Sequence, residues 1–183
     1  MILPIYTYGS SVLREETQTI DRDYPFLKKL IENMFETMYA AEGIGLAAPQ
    51  IGRPIRLLVI DADPIKDEYP ECAGFKRVFI NAEILNYNDE TVSLPEGCLS
   101  LPGITEKVER PTEVTVKYLD ENFEEHTETF KGFAARVFQH ESDHLWQTLF
   151  TDRISPLRKR MIKSRLSKMS KGQVSATYPT VLR

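Results

Sequence analysis

Gln139-His140-Glu141-Ser142-Asp143-His144 is the stretch around which this chain has to be arranged. On an α-helix, residues four apart lie one above the other on a single face. His140 and His144 then aim two imidazoles at one point, with the Glu141 carboxylate beside them to move protons. A five-residue pattern also recurs by chance on polar helices. The chain, however, holds only three histidines, and two of them are here. The spacing predicts a metal-binding helix over 133–146, starting after Gly132.

Catalytic sites of the zinc type use three protein ligands and keep one position open. Past His144 there is no Glu, His or Cys, and Asp152 is the only acidic residue. The extended pattern of one metallopeptidase group also fails, because Gln147 and Phe150 stand where Gly and His are needed. A peptidase built on His140, His144 and Asp152 is one reading. The upstream alternatives are Cys98, Cys72, His126 or a carboxylate.

At 183 residues, 42% hydrophobic and 27% charged, the chain is expected to form a single domain with its own core, running from 1 to 183. No run approaches the roughly 18 apolar residues of a membrane span. The opening Met1-Ile2-Leu3-Pro4 has no basic leader, and two cysteines make no disulfide framework, so a reducing cytoplasm is the expected address. Net charge is −4, yet eight Lys and Arg and no acid lie between Arg153 and Lys171. A basic helix over about 156–171 is predicted, with Leu157, Met161, Ile162, Leu166 and Met169 as a packing stripe and a polyanion as a candidate partner. The tail 172–183 is expected to fray.

Residues 24–41 carry Leu27, Leu30, Ile31, Met34, Phe35 and Met38 at helical spacing, with Asp23 as cap, Pro25 in the first turn and Gly43 as terminator. Gly43 to Gln50 reads as a packed loop, and it lacks the third glycine of a dinucleotide fingerprint. Arg56 to Ile60 and Phe75 to Ile80 read as buried strands, with Cys72 in the loop between them. Glu113 to Leu119 and His126 to Phe130 read as a hairpin turning at Asp120-Glu121-Asn122, with His126 an exposed strand residue.

Three segments together resemble the peptide deformylase family: Gly43-Ile44-Gly45-Leu46-Ala47-Ala48-Pro49-Gln50, Glu96-Gly97-Cys98-Leu99-Ser100 and Gln139-His140-Glu141-Ser142-Asp143-His144. The resemblance runs from Ile2 to about Arg153, with one departure: Gln147 replaces a family glycine three residues after the second histidine, which leaves the local helix ending open. It implies an α+β fold with antiparallel strands packed around a central metal-binding helix. It further implies that Cys98, His140 and His144 hold Fe²⁺, with Zn²⁺ or Ni²⁺ able to substitute. The implied activity is hydrolysis of N-formyl-methionyl peptides to formate. In it, metal-activated water attacks the formyl carbon, Glu141 serves as general base and then acid, and the Gln50 amide and Leu99 N–H serve as oxyanion donors. Ile44, Phe133 and Val137 would take the methionine side chain, and Gly45 would pair with the substrate backbone. Glu96 and Asp143 look structural by the same likeness, tied to arginines. Relatives also suggest transient ribosome contact through the basic helix, with no membrane or DNA as partner.

Overall fold

A computed structural model describes residues 1–183. Its elements, in chain order, are β1 (Ile5–Tyr6), α1 (Leu27–Ala40), β2 (Gly45–Ala47), β3 (Leu57–Asp61), β4 (Lys76–Tyr87), β5 (Thr91–Cys98), β6 (Leu101–Pro111), β7 (Glu113–Leu119), β8 (Glu125–Lys131), α2 (Gly132–Leu145), α3 (Pro156–Met169) and β9 (Thr180–Val181). Strands β2-β3-β4-β7-β8 form one antiparallel sheet, β5-β6 a separate hairpin, and β1-β9 a short parallel pair. The expected α+β class is what is found, although the β5–β6 hairpin carried no recognised strand signal.

The run Leu57-Leu58-Val59-Ile60 shows why the core is layered. Leu58 and Ile60 join the cluster under α2, with Phe79, Phe130 and Phe138, whereas Leu57 and Val59 join the cluster under α1, with Ile31, Met34 and Met38. Successive strand residues point to opposite faces, so a strand covered on both sides reads as a continuous apolar run. A third cluster ties the β5–β6 hairpin to α3 through Leu101, Ile104, Val108, Ile162 and Leu166. Helix α2 lies where these layers meet, and every residue from Ala134 to Leu145 is buried.

Several expected boundaries move, each for a local reason. Helix α1 starts at Leu27, not 24, after Phe26 in the left-handed region (φ 58°) and with no side-chain cap from Asp23. Tyr24 precedes Pro25, and a residue before proline is pushed out of the helical region. At the other end Glu42, not Gly43, takes the left-handed turn, and the Gly43 N–H donates to the Met38 carbonyl at 2.9 Å. Gly43 matters for space, since a Cβ there would come within 2.8 Å of Leu99 Cδ1. The segment read as a loop to Gln50 is strand β2 followed by one 3-10 turn, Ala48–Ile51. On α3, Ile162, Leu166 and Met169 are buried, but Leu157 and Met161 are 65% and 62% exposed. At 3.6 residues per turn those two lie about a third of a turn round from the buried three.

The tail is not frayed. Strand β9 pairs in parallel with β1, Ile5↔Thr180 and Tyr6↔Val181, and the Ser11 N–H donates to the Arg183 carbonyl at 2.8 Å.

The end of α2 explains the departure at Gln147. Trp146 and Thr148 N–H groups both donate to the Asp143 carbonyl, and Gln147 between them has φ 55°, the left-handed position that glycine usually fills. Arg14 Nη1 donates to the Gln147 carbonyl at 2.6 Å and helps to hold the turn. Gln147→Gly is expected to raise stability by a few tenths to about 1 kcal/mol, and the β-branched Gln147→Val to lower it by about 1 kcal/mol or more. Denaturant midpoints check the order Gly, Gln, Val; a valine variant as stable as the parent would contradict the strain.

Candidate metal centre

Helix α2 stacks His140 and His144 one turn apart, ring centroids 5.5 Å from each other. Cys98 reaches them from the end of β5, where the hairpin register slips between Gly97 and Cys98. Its Sγ lies 3.5 Å from His144 Nε2, and one donor atom from each of Cys98, His140 and His144 falls within 4.8 Å of the others.

The chemistry of this trio fits a cation. His140 Nδ1 is held by the Glu96 carboxylate at 2.8 Å, which leaves Nε2 for the centre, the arrangement usual for a ligating histidine. Burial opposes charge on His140, yet the Cys98 sulfur and Glu96 outweigh it and hold its pKa well above the ordinary range. A metal ion satisfies that same demand for positive charge while displacing the proton. Burial, with His140 and Arg110 as positive neighbours, pushes His144 well down, toward the neutral form that ligates. Glu141 Oε2 and His144 Nδ1 are buried without a partner, a cost of roughly 1–3 kcal/mol each unless something else in the site answers them.

Glu96 organises the wall behind. It accepts from Arg110 Nε at 2.6 Å and Nη2 at 2.9 Å, and from Arg136 Nη1 at 2.5 Å. Burial alone would raise its pKa, but His140 and Arg110 overturn that and bring it to about 2. Asp143 is clamped by Arg110 Nη1 at 3.0 Å and by Arg153 Nε and Nη2, both at 2.6 Å. The arginine partners that the sequence left unnamed are therefore Arg110, Arg136 and Arg153.

In front of the trio opens a cleft of about 610 Å³. Of the ten residues singled out from the sequence, nine line it: Ile44, Gly45, Gln50, Cys98, Leu99, Phe133, Val137, His140 and Glu141. His144 lies buried beneath. Gln50 sits on the 3-10 turn, where its Oε1 accepts from Ala47 N–H at 2.9 Å. That fixes the amide so that Nε2 faces Ser100 Oγ at 3.1 Å and Cys98 Sγ at 3.5 Å. Glu141 packs against the bare Cα of Gly45, where a Cβ would meet Oε1 at 2.5 Å. Burial pushes its carboxyl up to about 7.

Other sequence candidates lie elsewhere. Cys72 is in the core under α2, its thiol raised to about 11 by burial. Asp152 is engaged by Arg14 at 2.6 Å and belongs to no ligand group. His126 pairs with Asp120 at 2.7 Å on the far hairpin. Sequence reasoning missed one wall of the cleft, Ser175 to Tyr178, because a tail with no periodicity gives no signal of where it packs.

The polypeptide deformylase family model matches residues 2–160. The chain belongs to the peptide deformylase family. A peptide deformylase of Christiangramia forsetii is 48% identical over 97% of this chain and 94% of its own length, and one of Flavobacterium johnsoniae is 49% identical over the same shares. Among solved structures, the Thermotoga maritima peptide deformylase superposes with a TM-score of 0.77 at 42% identity, over 85% of this chain and 99% of that one. The Ehrlichia chaffeensis enzyme in complex with actinonin gives 0.83 at 34%, over 95% and 99%. Peptide deformylases are metal-dependent hydrolases that remove the N-formyl group from nascent peptides, and this chain is such an enzyme.

Glu96→Gln removes the charge that orients His140 and neutralises two buried arginines. Metal affinity, measured by competition with a chelator, is expected to fall about 10- to 100-fold. Unchanged affinity would mean that Glu96 does not hold the ligand.

Proposed function

We propose that Cys98, His140 and His144 hold a divalent ion, natively Fe²⁺ with Zn²⁺ or Ni²⁺ able to substitute, and that the chain acts as one catalytic domain on N-formyl-methionyl peptides. The observation that carries this is the convergence of one sulfur and two imidazole donors within 4.8 Å on a cleft that also presents Glu141 and the Gln50 amide. A thiolate with two neutral imidazoles suits several ions, and the preference for iron rests on likeness to the family. When bound, the ion supplies Lewis acidity, polarising the formyl carbonyl and bringing a water's pKa toward neutrality.

The protein's own groups do the rest. Glu141 is buried beside the donors with Oε2 uncommitted, so it can take the proton of the attacking water and deliver it to the departing amine. The Gln50 Nε2 and the Leu99 N–H donate to the oxygen on which negative charge develops. The Ala47 N–H already fixes the other end of the amide, so only the Nε2 hydrogen that faces Cys98 Sγ has to turn to the developing charge. Ile44, Phe133 and Val137 form an apolar recess for the methionine side chain, and Tyr69 braces Phe133 by stacking at 4.0 Å. Gly45 lies on β2, the edge strand of the sheet, where an extended peptide can pair with it, whereas the Ala47 N–H of the same strand is taken by Gln50.

The address proposed is the cytoplasm, and no helix is long and apolar enough to cross a membrane. For the basic helix α3 we propose transient contact with ribosomal RNA, supported by the exposed Arg160, Lys163 and Lys168, while Lys159 pairs with Asp152 at 3.8 Å. Arg158 is already engaged by Glu106 at 2.8 Å.

Cys98→Ser, Glu141→Ala and His144→Ala are each expected to abolish formate release with the circular dichroism spectrum retained. Gln50→Ala should lose about 10²–10³ in kcat. Near-normal turnover in Glu141→Ala would remove its proton-transfer role, and a metal-edge spectrum without sulfur would remove Cys98. Ribosome association should weaken steeply with salt and with charge reversal at Lys163, Arg165 and Lys168; binding indifferent to both would exclude α3 as the contact.

A further inference from the structure

The C-terminal segment is built into the cleft. Ser175, Ala176, Thr177 and Tyr178 line it alongside the β6 residues Gly103 and Thr105. The Tyr178 hydroxyl donates to the Leu99 carbonyl at 2.8 Å. From the other side, the Tyr8 N–H donates to the Ser100 carbonyl, also at 2.8 Å. The turn that follows Cys98 is thus gripped by both ends of the chain.

The segment that makes this contact is itself fastened. Ile5 N–H donates to the Pro179 carbonyl at 2.9 Å and Thr7 N–H to the Val181 carbonyl at 3.0 Å. Beyond them the Arg183 N–H donates to Ser10 Oγ at 3.2 Å. Five hydrogen bonds, counting Ser11 N–H to the Arg183 carbonyl and the Tyr178 hydroxyl bond, therefore seat this stretch, three of them backbone to backbone. Tyr178 packs on the cluster under α1 and Val174 on the cluster under α3, and the exposed residues between them, Ser175 to Thr177, lie at the mouth of the cleft.

The geometry points to Tyr178 as a positioning residue that holds Leu99 in its donor orientation, and to Ser175–Thr177 as the wall that meets substrate residues beyond the methionine. Two physical steps lead there. Leu99 is flanked by the ligand Cys98 on one side, while Tyr178 fixes its carbonyl on the other; a donor held at both ends aims its N–H at one place. The apolar recess of Ile44, Phe133 and Val137 accepts one side chain, and it comes from α2 and the residue before β2. The rest of an extended peptide leaves past the other walls, and one of them is the tail.

This rests on the assignment of Leu99 as oxyanion donor to a formyl peptide. Formate release is measured for formyl-Met-Ala and formyl-Met-Ala-Ser with the metal-loaded parent, Tyr178→Phe, Ala176→Trp and Ser175→Tyr. Tyr178→Phe keeps the ring and loses only the hydroxyl. Its kcat on both peptides should fall three- to tenfold, with KM within twofold, which a purely structural hydroxyl would not produce. Ala176 and Ser175 are exposed, so larger side chains there leave the core alone. Each should lower kcat/KM for the longer peptide at least fivefold more than for the shorter one. Unchanged kcat in Tyr178→Phe would overturn the positioning role, and equal effects on the two peptides in both wall variants would overturn the wall. A parent inert on both peptides would instead remove the functional reading beneath them.

Discussion

The site depends on one buried carboxylate. Glu96, 7% exposed, holds His140, Arg110 and Arg136 at once, and so joins the β5–β6 hairpin to helix α2 by charge-assisted bonds. Taking such groups out of water costs several kcal/mol per ion, and removing one partner of a buried pair typically costs about 3–5 kcal/mol because the other charge is stranded. The network is therefore poor value as simple glue. Its use is directional: an apolar contact could press the hairpin on the helix, but it could not choose which imidazole nitrogen faces Cys98. A bidentate arginine on a carboxylate that also fixes a histidine tautomer can do that.

That demand explains a helix whose polar sequence looks wrong for its burial. Helix α2 is buried from Ala134 to Leu145 although it includes Arg136, Gln139, His140, Glu141, Asp143 and His144. One side is apolar, with Ala134, Ala135 and Phe138 against the sheet. The other is answered group by group: Arg136 donates to the Val108 and Val92 carbonyls, Gln139 to the Pro111 carbonyl, and Asp143 accepts from two arginines. The protein takes the place of solvent for this face, with fixed dipoles that do not have to reorganise. The two atoms left without an answer, on Glu141 and His144, lie at the metal centre.

How much of this could be read in advance follows the range of the interactions. The metal helix, the two-faced strand at Leu57–Ile60 and the nine cleft residues have local signatures: fixed spacing, continuous apolar runs, motif letters. Phe26 at the start of α1 and Glu42 at its end were missed because cap geometry depends on a few backbone angles that Asp23 and Gly43 only suggest. Leu157 and Met161 were counted into a stripe that the helix divides between two faces. The arginines that hold Glu96 and Asp143 are up to 40 residues distant in sequence, and nothing local pairs them. Tyr178 is 79 residues from the carbonyl it binds.

The same reasoning separates two kinds of rigidity around the cleft. The donors rise from α2 and β5, whose mutual placement is set by buried ions and by three apolar clusters, so it changes only with the fold. The tail is held by a two-residue strand pair and a few further hydrogen bonds, an anchorage that opens far more cheaply than a core. Leu99 stands between the two regimes. It follows directly on Cys98, which is fixed by the hairpin, while its carbonyl is held by a tyrosine on the fastened tail. A loosened tail would leave Cys98, His140 and His144 in register yet relax Leu99, the proposed oxyanion donor, so in the proposed reaction metal binding and transition-state stabilisation are separable.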